Sequence, residues 1–293
     1  YIDEGTGDPV ILVHGNPTWS FYYRNVVRKL RNDYRLIAPD HIGCGLSDKP
    51  RDAQYSYSLE QRIDDLAALI RNRIGSRPYR MIVHDWGGMI GIGVALRHPD
   101  RLRQLVVLNT AAFLLPSGRR FHGILKFART VPGGFLIRYA NAFVRGTLRW
   151  GSVAGTLNRT VRHCYLAPYD SPARRIAVQR FVQDIPLHPD HPAYRIARSI
   201  DDRLSDIAST PKLILWGARD FIFDDAFLTE WKRRFPDATV RVMENAGHLV
   251  LEDAPDVTAD AIESFFKILR SHDSRSSEPS DPCDSRETRE TAQ

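Results

Sequence analysis

Residues 81–96 read "MIVHDWGGMIGIGVAL". A short apolar run (Met81, Ile82, Val83) gives way to a polar turn, then to small and apolar residues at helical spacing (Ile90, Val94, Ala95). This is strand, sharp turn, helix. Glycines let a backbone bend that tightly, and the G-x-S-x-G elbow uses such a turn to lift a nucleophilic side chain above the end of a parallel strand. Here Asp85 holds the apex, Gly87 follows two positions later, and Val83 rather than glycine lies two before. The match is partial, with an aspartate where that motif has serine.

On either side, short β-rich runs alternate with amphipathic helical patterns. Val10–Val13, Tyr34–Ala38, Arg80–Val83, Gln104–Leu108, Lys212–Trp216 and Thr239–Met243 read as strands, with helices at about 20–31, 58–74, 88–98, 223–235 and 255–269. Such alternation implies an α/β fold, a mostly parallel sheet with helices on both faces, whose ligands bind beyond the carboxyl ends of the strands. Polar residues gather there: His14 to Asn16, Asp40, Asp85, Asn109 and Asp220. Between Asn109 and Lys212 the alternation stops, and helical pattern broken by "VPGG" and "YLAPYDSP" takes its place. The expected organisation is a core of residues 1–110 and 209–270 with a helical cap at 111–208, which would exclude water and shape a cavity. Residues 271–293, almost wholly polar, read as a disordered tail.

Composition narrows the class. Hydrophobic residues at 43% and charged residues at 26% are ordinary for a globular chain, and no apolar run reaches the length of a membrane span. Three distant cysteines (Cys44, Cys164, Cys283) offer neither a disulfide framework nor metal-ligand spacing. No basic segment followed by an apolar one opens the chain, so a cytoplasmic location is expected.

A carboxylate nucleophile forms an ester that needs a base for its hydrolysis, and the base needs an orienting acid. His248 lies in "ENAGHLVLEDAP", between the last strand and the final helix, and Asp220 in "ILWGARDFIFD", just after the preceding strand. The order nucleophile, acid, histidine is that of the α/β-hydrolases. Taken singly, either residue could be a helix cap or a hydrogen-bonded core group. The loop "VHGNPTWSFYYR" follows the first clear strand, where such folds supply one backbone N–H of an oxyanion hole; the other comes from the residue after the nucleophile. Those positions are Asn16 and Trp86, whose side chains also carry N–H donors suited to an anionic leaving group. Alternatively, Asn16 fixes the Asn-Pro turn and Trp86 merely packs.

Together "HGNPTWSFYYR", "DHIGCGLSDKP", "HDWGG", "LNTAAF", "WGARDF" and "NAGHLVLEDAP" make residues 1–270 resemble the haloalkane dehalogenase family of α/β-hydrolases. The resemblance implies an eight-stranded sheet with a helical cap, and a first strand ahead of "YIDEG". It also implies Asp85 as nucleophile, His248 as base, Asn16 with Trp86 as halide-binding pair, and no metal or organic cofactor. The acid of that family follows either the strand before the cap or the strand after it. Asn109 holds the first place and cannot ionise, which leaves Asp220. This Asn, Trp and late-Asp pattern also resembles the β-lactone decarboxylases of bacterial long-chain olefin synthesis, as do "LNTAAF", "YLAPYD" and "RFVQDIPL".

An aspartate suits this chemistry because a carboxylate is ionised at pH 7 and needs no base to attack a saturated carbon. The first expectation is displacement of halide from a small apolar haloalkane, followed by hydrolysis of the alkyl ester by His248-activated water. The alternative is opening of a β-lactone with loss of carbon dioxide. A third is epoxide opening, which would call on cap tyrosines among Tyr139, Tyr165, Tyr169 and Tyr194, although Asn16 stands where epoxide hydrolases carry an aromatic residue.

Charge is uneven. From Ala111 to Tyr169 there are nine Lys or Arg residues and no Asp or Glu, interleaved with large apolar residues, in a chain of net charge +6. Such a cap could face an anionic membrane, a partner enzyme or a second copy of itself; equally, its apolar faces could line the cavity and its arginines meet only water. No nucleic-acid-binding motif accompanies the charge.

Overall fold

The computed structural model describes residues 1–116, 118–153 and 157–275. Seven strands form one sheet: β1 (Ile2–Glu4), β2 (Asp8–Val13), β3 (Tyr34–Ala38), β4 (Tyr79–Asp85), β5 (Leu102–Thr110), β6 (Lys212–Gly217) and β7 (Thr239–Met243), in the order β1-β3-β2-β4-β5-β6-β7. All neighbours are parallel except β1, which pairs antiparallel with β3, Ile2 opposite Ala38. The described sheet thus has one strand fewer than the eight implied. Its outer strand is the "YIDEG" stretch itself, where no strand was expected. Three residues, two half-buried and one exposed, carry no readable period; Asp3 holds them in place by accepting two hydrogen bonds from Arg35 at 2.8 Å.

The central strands are apolar on both faces because both faces are covered. Ile11, Val13, Met81, Val83, Leu105, Val107, Ile214 and Trp216 point to one side, against α2 (Leu59–Ile74) and α3 (Trp86–Ala95). Val10, Leu12, Ile82, Val106, Leu108, Leu213 and Leu215 point to the other, towards α1 (Arg24–Leu30). Helix α3 is buried nearly all round, which explains why its sequence lacks a polar face.

Helices α4 (Gly123–Ala128), α5 (Val131–Ala140), α6 (Ala142–Trp150), α7 (Arg159–Leu166) and α8 (Ile176–Gln183) pack as a layer over the strand ends. The next helix, α9 (Pro192–Asp202), falls inside the stretch 111–208 assigned to the cap, yet it packs against α2 and α3, with Ile200 beside Gly93. Its strongly amphipathic pattern identifies a helix but not the layer it joins. Helices α10 (Asp225–Arg234), α11 (Val250–Asp253) and α12 (Pro255–Arg275) complete the core. Helix α12 runs through 271–275, correcting the expected start of the disordered tail: nothing in "SHDSR" breaks a helix before Pro279. Residues 276–293 lie outside the described residues. Among those described, no helix is long and apolar enough to cross a membrane.

A buried carboxylate ties cap to core. Glu252 of α11, its side chain 4% exposed, accepts two bonds from Arg24 (2.5 and 2.8 Å) and one from the buried Tyr165 hydroxyl of α7. Removing one partner of such a buried pair leaves the others desolvated and unmatched. Glu252→Ala is expected to destabilise the fold by about 3 kcal/mol, read from equilibrium urea unfolding.

Candidate active site

Asp85 ends β4 and begins α3, with φ 51°, in the left-handed region. Close approach of backbone to backbone makes this bend possible: a Cβ on Gly87 would fall 2.0 Å from the Val13 carbonyl oxygen, and one on Gly15 would fall 2.1 Å from Asp85 Oδ1. The Thr110 hydroxyl donates to the Asp85 carbonyl and fixes the elbow to β5. Val83 fits two residues before the apex because Gly91, one turn into α3, leaves room for it; a Cβ there would sit 2.9 Å from Val83 Cγ1.

Asp85 Oδ1 accepts from the Asn16 backbone N–H at 2.6 Å, and the Trp86 backbone N–H also bonds this carboxylate. Oδ2 lies 3.8 Å from His248 Nε2. His248 Nδ1 donates to Asp220 Oδ2 at 2.7 Å, and the Asp220 side chain, fully buried, takes the Ile222 and Phe223 backbone N–H groups on Oδ1 (2.8 and 3.1 Å). The structure therefore brings Asp85, His248, Asp220, Asn16 and Trp86 together at the carboxyl ends of β2, β4 and β6. Asn109 is engaged otherwise: it pairs both ways with the Gly217 backbone (2.8 and 3.1 Å), bracing the ends of β5 and β6.

The two side chains that the resemblance implies as a halide-binding pair differ. The Asn16 amide donates to the Val178 carbonyl of α8 at 3.1 Å, so the implied halide donor is tied to the covering helix. Trp86 packs on Phe181, ring centroids 5.4 Å apart, and lines the cavity with no acceptor on its indole N–H among the described residues.

Sequence reasoning passed over two supports. His84 donates Nε2–H to the His248 carbonyl at 2.8 Å, and Phe223 stacks on the His248 ring at 5.8 Å. His84 was visible inside "HDWGG", but its partner lies 164 residues away.

Electrostatics follows burial. Desolvation pushes the Asp85 carboxyl above the usual aspartate range, opposed by His248 and by the two backbone N–H donors. Burial disfavours the charged form of His248, yet the carboxylate of Asp220, by charge and hydrogen bond, outweighs it with help from Asp85 and holds the imidazole above 6.5. His84 is driven well below 6.5, first by burial and then by the charge of His248, and stays neutral. Removing Asp220's charge leaves desolvation as the leading influence. His248 should then titrate at lower pH in Asp220→Asn than in the wild type, as followed by NMR of the imidazole resonances.

Above these groups opens a cavity of about 890 Å³, walled by cap and core side chains such as Phe113, Leu125, Ile137, Val182 and Phe227. Among the described residues that line it, Asp85 is the one carboxylate and there is no tyrosine. Of the four tyrosines considered, Tyr165 is committed to Glu252, Tyr169 is buried under Gly45, Tyr139 is exposed and Tyr194 borders a separate surface pocket.

A family model described as the alpha/beta hydrolase fold matches residues 8–255. A cis-3-alkyl-4-alkyloxetan-2-one decarboxylase of Shewanella oneidensis is 46% identical over 90% of this chain and 84% of its own length. Haloalkane dehalogenase 2 of Mycobacterium tuberculosis is 32% identical over 89% of each chain. The crystal structure of haloalkane dehalogenase DbeA from Bradyrhizobium elkani superposes with a TM-score of 0.79, at 25% identity over 92% of this chain and 94% of that one.

Proposed function

We propose, for a chain that belongs to the alpha/beta hydrolase fold family, that Asp85 opens a cis-3,4-dialkyl β-lactone and releases it as a cis-olefin and carbon dioxide. The chain is an enzyme of that family, and its relatives include named decarboxylases and dehalogenases. The observation that carries the choice of lactone is the cavity. At about 890 Å³ it lies near the top of the range for small-molecule sites and is walled chiefly by apolar side chains, suiting two long alkyl arms better than a short haloalkane. The greater identity to the Shewanella decarboxylase supports the same order.

The chemistry follows from the free oxygen. Asp85 Oδ1 is held by the Asn16 backbone N–H at 2.6 Å, whereas Oδ2 lies 3.8 Å from His248 Nε2, so Oδ2 is the attacking atom. It attacks the ring carbon that bears the lactone oxygen, from the opposite face; that C–O bond breaks with its pair on oxygen, leaving an Asp85 alkyl ester and a free carboxylate on the neighbouring carbon. The bond to the carboxylate then breaks, its pair forms the double bond, the ester C–O pair returns to Asp85, and carbon dioxide leaves. Inversion followed by anti elimination keeps both alkyl groups on one side. Neither water nor a proton is consumed. The His248 imidazolium, sustained by Asp220, stabilises the Asp85 carboxylate as it departs.

Trp86 favours a second reading, carbon–halogen cleavage, because it lines the cavity and carries an indole N–H donor suited to a leaving halide. Epoxide opening has no support in this cavity, where no tyrosine is among the described lining residues. Incubating purified protein separately with a cis-dialkyl β-lactone and a bromoalkane panel distinguishes the readings. Olefin and carbon dioxide by gas chromatography–mass spectrometry are expected; bromide release with an intact or merely hydrolysed lactone would reverse the order. We place the enzyme in the cytoplasm, supported by Cys44 and Cys164 being unpaired thiols.

A further inference from the structure

We propose that the cap docks on an anionic lipid bilayer through the rim of the active-site cavity, so that apolar substrate enters from the membrane without crossing water. Residues that line the cavity and are also exposed mark its mouth. They include Ile124, Phe127, Leu136 and Trp150, exposed by 41–58%, together with the exposed Arg145 and Arg149. Apolar surface continues outward along α5, where Val131 (89% exposed), Phe135 (59%) and Tyr139 (60%) recur every fourth residue and form one stripe, the last two rings stacked at 4.5 Å.

Large apolar side chains this exposed around a ligand entrance signal a surface that meets another phase. Charge identifies that phase. Lys126, Arg120, Arg145 and Arg149 are exposed and make no ion pair among the described residues, whereas Arg119 is bound to Asp224 and Arg129 to three carbonyls at the end of α8. The sequence from 111 to 169 holds no carboxylate to oppose them. Aromatic and aliphatic residues interspersed with unpaired cations on short helices match an interfacial membrane face: rings enter the headgroup boundary while lysine and arginine stems reach anionic lipid. A protein partner would require complementary carboxylates and a shaped surface; a bilayer requires only this composition, and a membrane is where a dialkyl substrate resides. The purpose of docking rests on the lactone reading, whereas its detection does not.

The test is flotation of the full chain with phosphatidylcholine vesicles, with and without 25 mol% phosphatidylglycerol, at low and moderate salt. Expected are binding at least tenfold stronger to anionic vesicles, weakening with salt, and loss of at least tenfold in Val131→Asp/Phe135→Asp, whose side chains lie outside the cavity. Circular dichroism and turnover of a short, water-dispersed substrate should be unchanged in that variant. Wild-type protein that stays unbound at low salt, or a variant that floats equally well, would overturn the proposal. So would sizing that shows a wild-type dimer and a monomeric variant, since the stripe would then be a contact between copies. Failure of the lactone assay would leave vesicle binding intact, so the two ideas fail separately.

Discussion

Asparagine in place of Asp85 should lower turnover of every substrate by about 10⁴–10⁶, the scale seen when a nucleophile is removed from a catalytic unit. The substitution isolates chemistry from folding. Residue 85 has φ 51°, and asparagine is among the few residues that tolerate that region. Its carboxamide oxygen can still accept the Asn16 backbone N–H, so the elbow keeps that bond while the side chain loses its charge and the attacking oxygen. Thermal unfolding within a few degrees of wild type, with product below detection, is the expected pair of results. Activity within tenfold of wild type would remove Asp85 from the reaction.

The second large effect divides by substrate. With a bromoalkane, His248→Ala should release at most one equivalent of bromide and then stop, turnover falling by roughly 10⁴ or more, because the ester at Asp85 has lost the base for its hydrolysis. Intact-mass spectrometry should show one added alkyl group. A β-lactone behaves otherwise, since its second step needs no water. The variant should still make olefin, slowed by roughly 10²–10³ through loss of one charged neighbour of the departing carboxylate. Equal arrest on both substrates, with a stable adduct from each, would show that water takes part in the lactone reaction and would sink the elimination route.

Much of this arrangement was legible in sequence because its signals are local. Alternating strand and helix patterns announced a sheet with helices on both faces, and the passage from the apolar run 81–83 through a polar turn to helical spacing announced the elbow at Asp85. Asn109 was informative for what it cannot do, and its pairing with Gly217 gives that position a physical use. What stayed hidden depends on tertiary partners. Helix α9 shows the same amphipathic period whether it joins cap or core, and only its contacts with α2 and α3 decide. The Asn16 amide meets a carbonyl 162 residues away, which no spacing rule anticipates. The strand Ile2–Glu4 is too short to show alternation and is defined by the ladder of β3 and by Arg35.

Glu252 lies four residues beyond His248, and its neighbour Asp253 accepts bonds from the Ser152 hydroxyl and from the Val153 and Gly247 backbones. In mechanical terms, α11 is a hinge pin: through Tyr165 and the 151–153 segment it bolts one flank of the cap to the loop that aims the imidazole. Cap and imidazole loop thus share one fastening, so a change at Glu252 or Asp253 would reach the seat of His248 and the seating of the cap together.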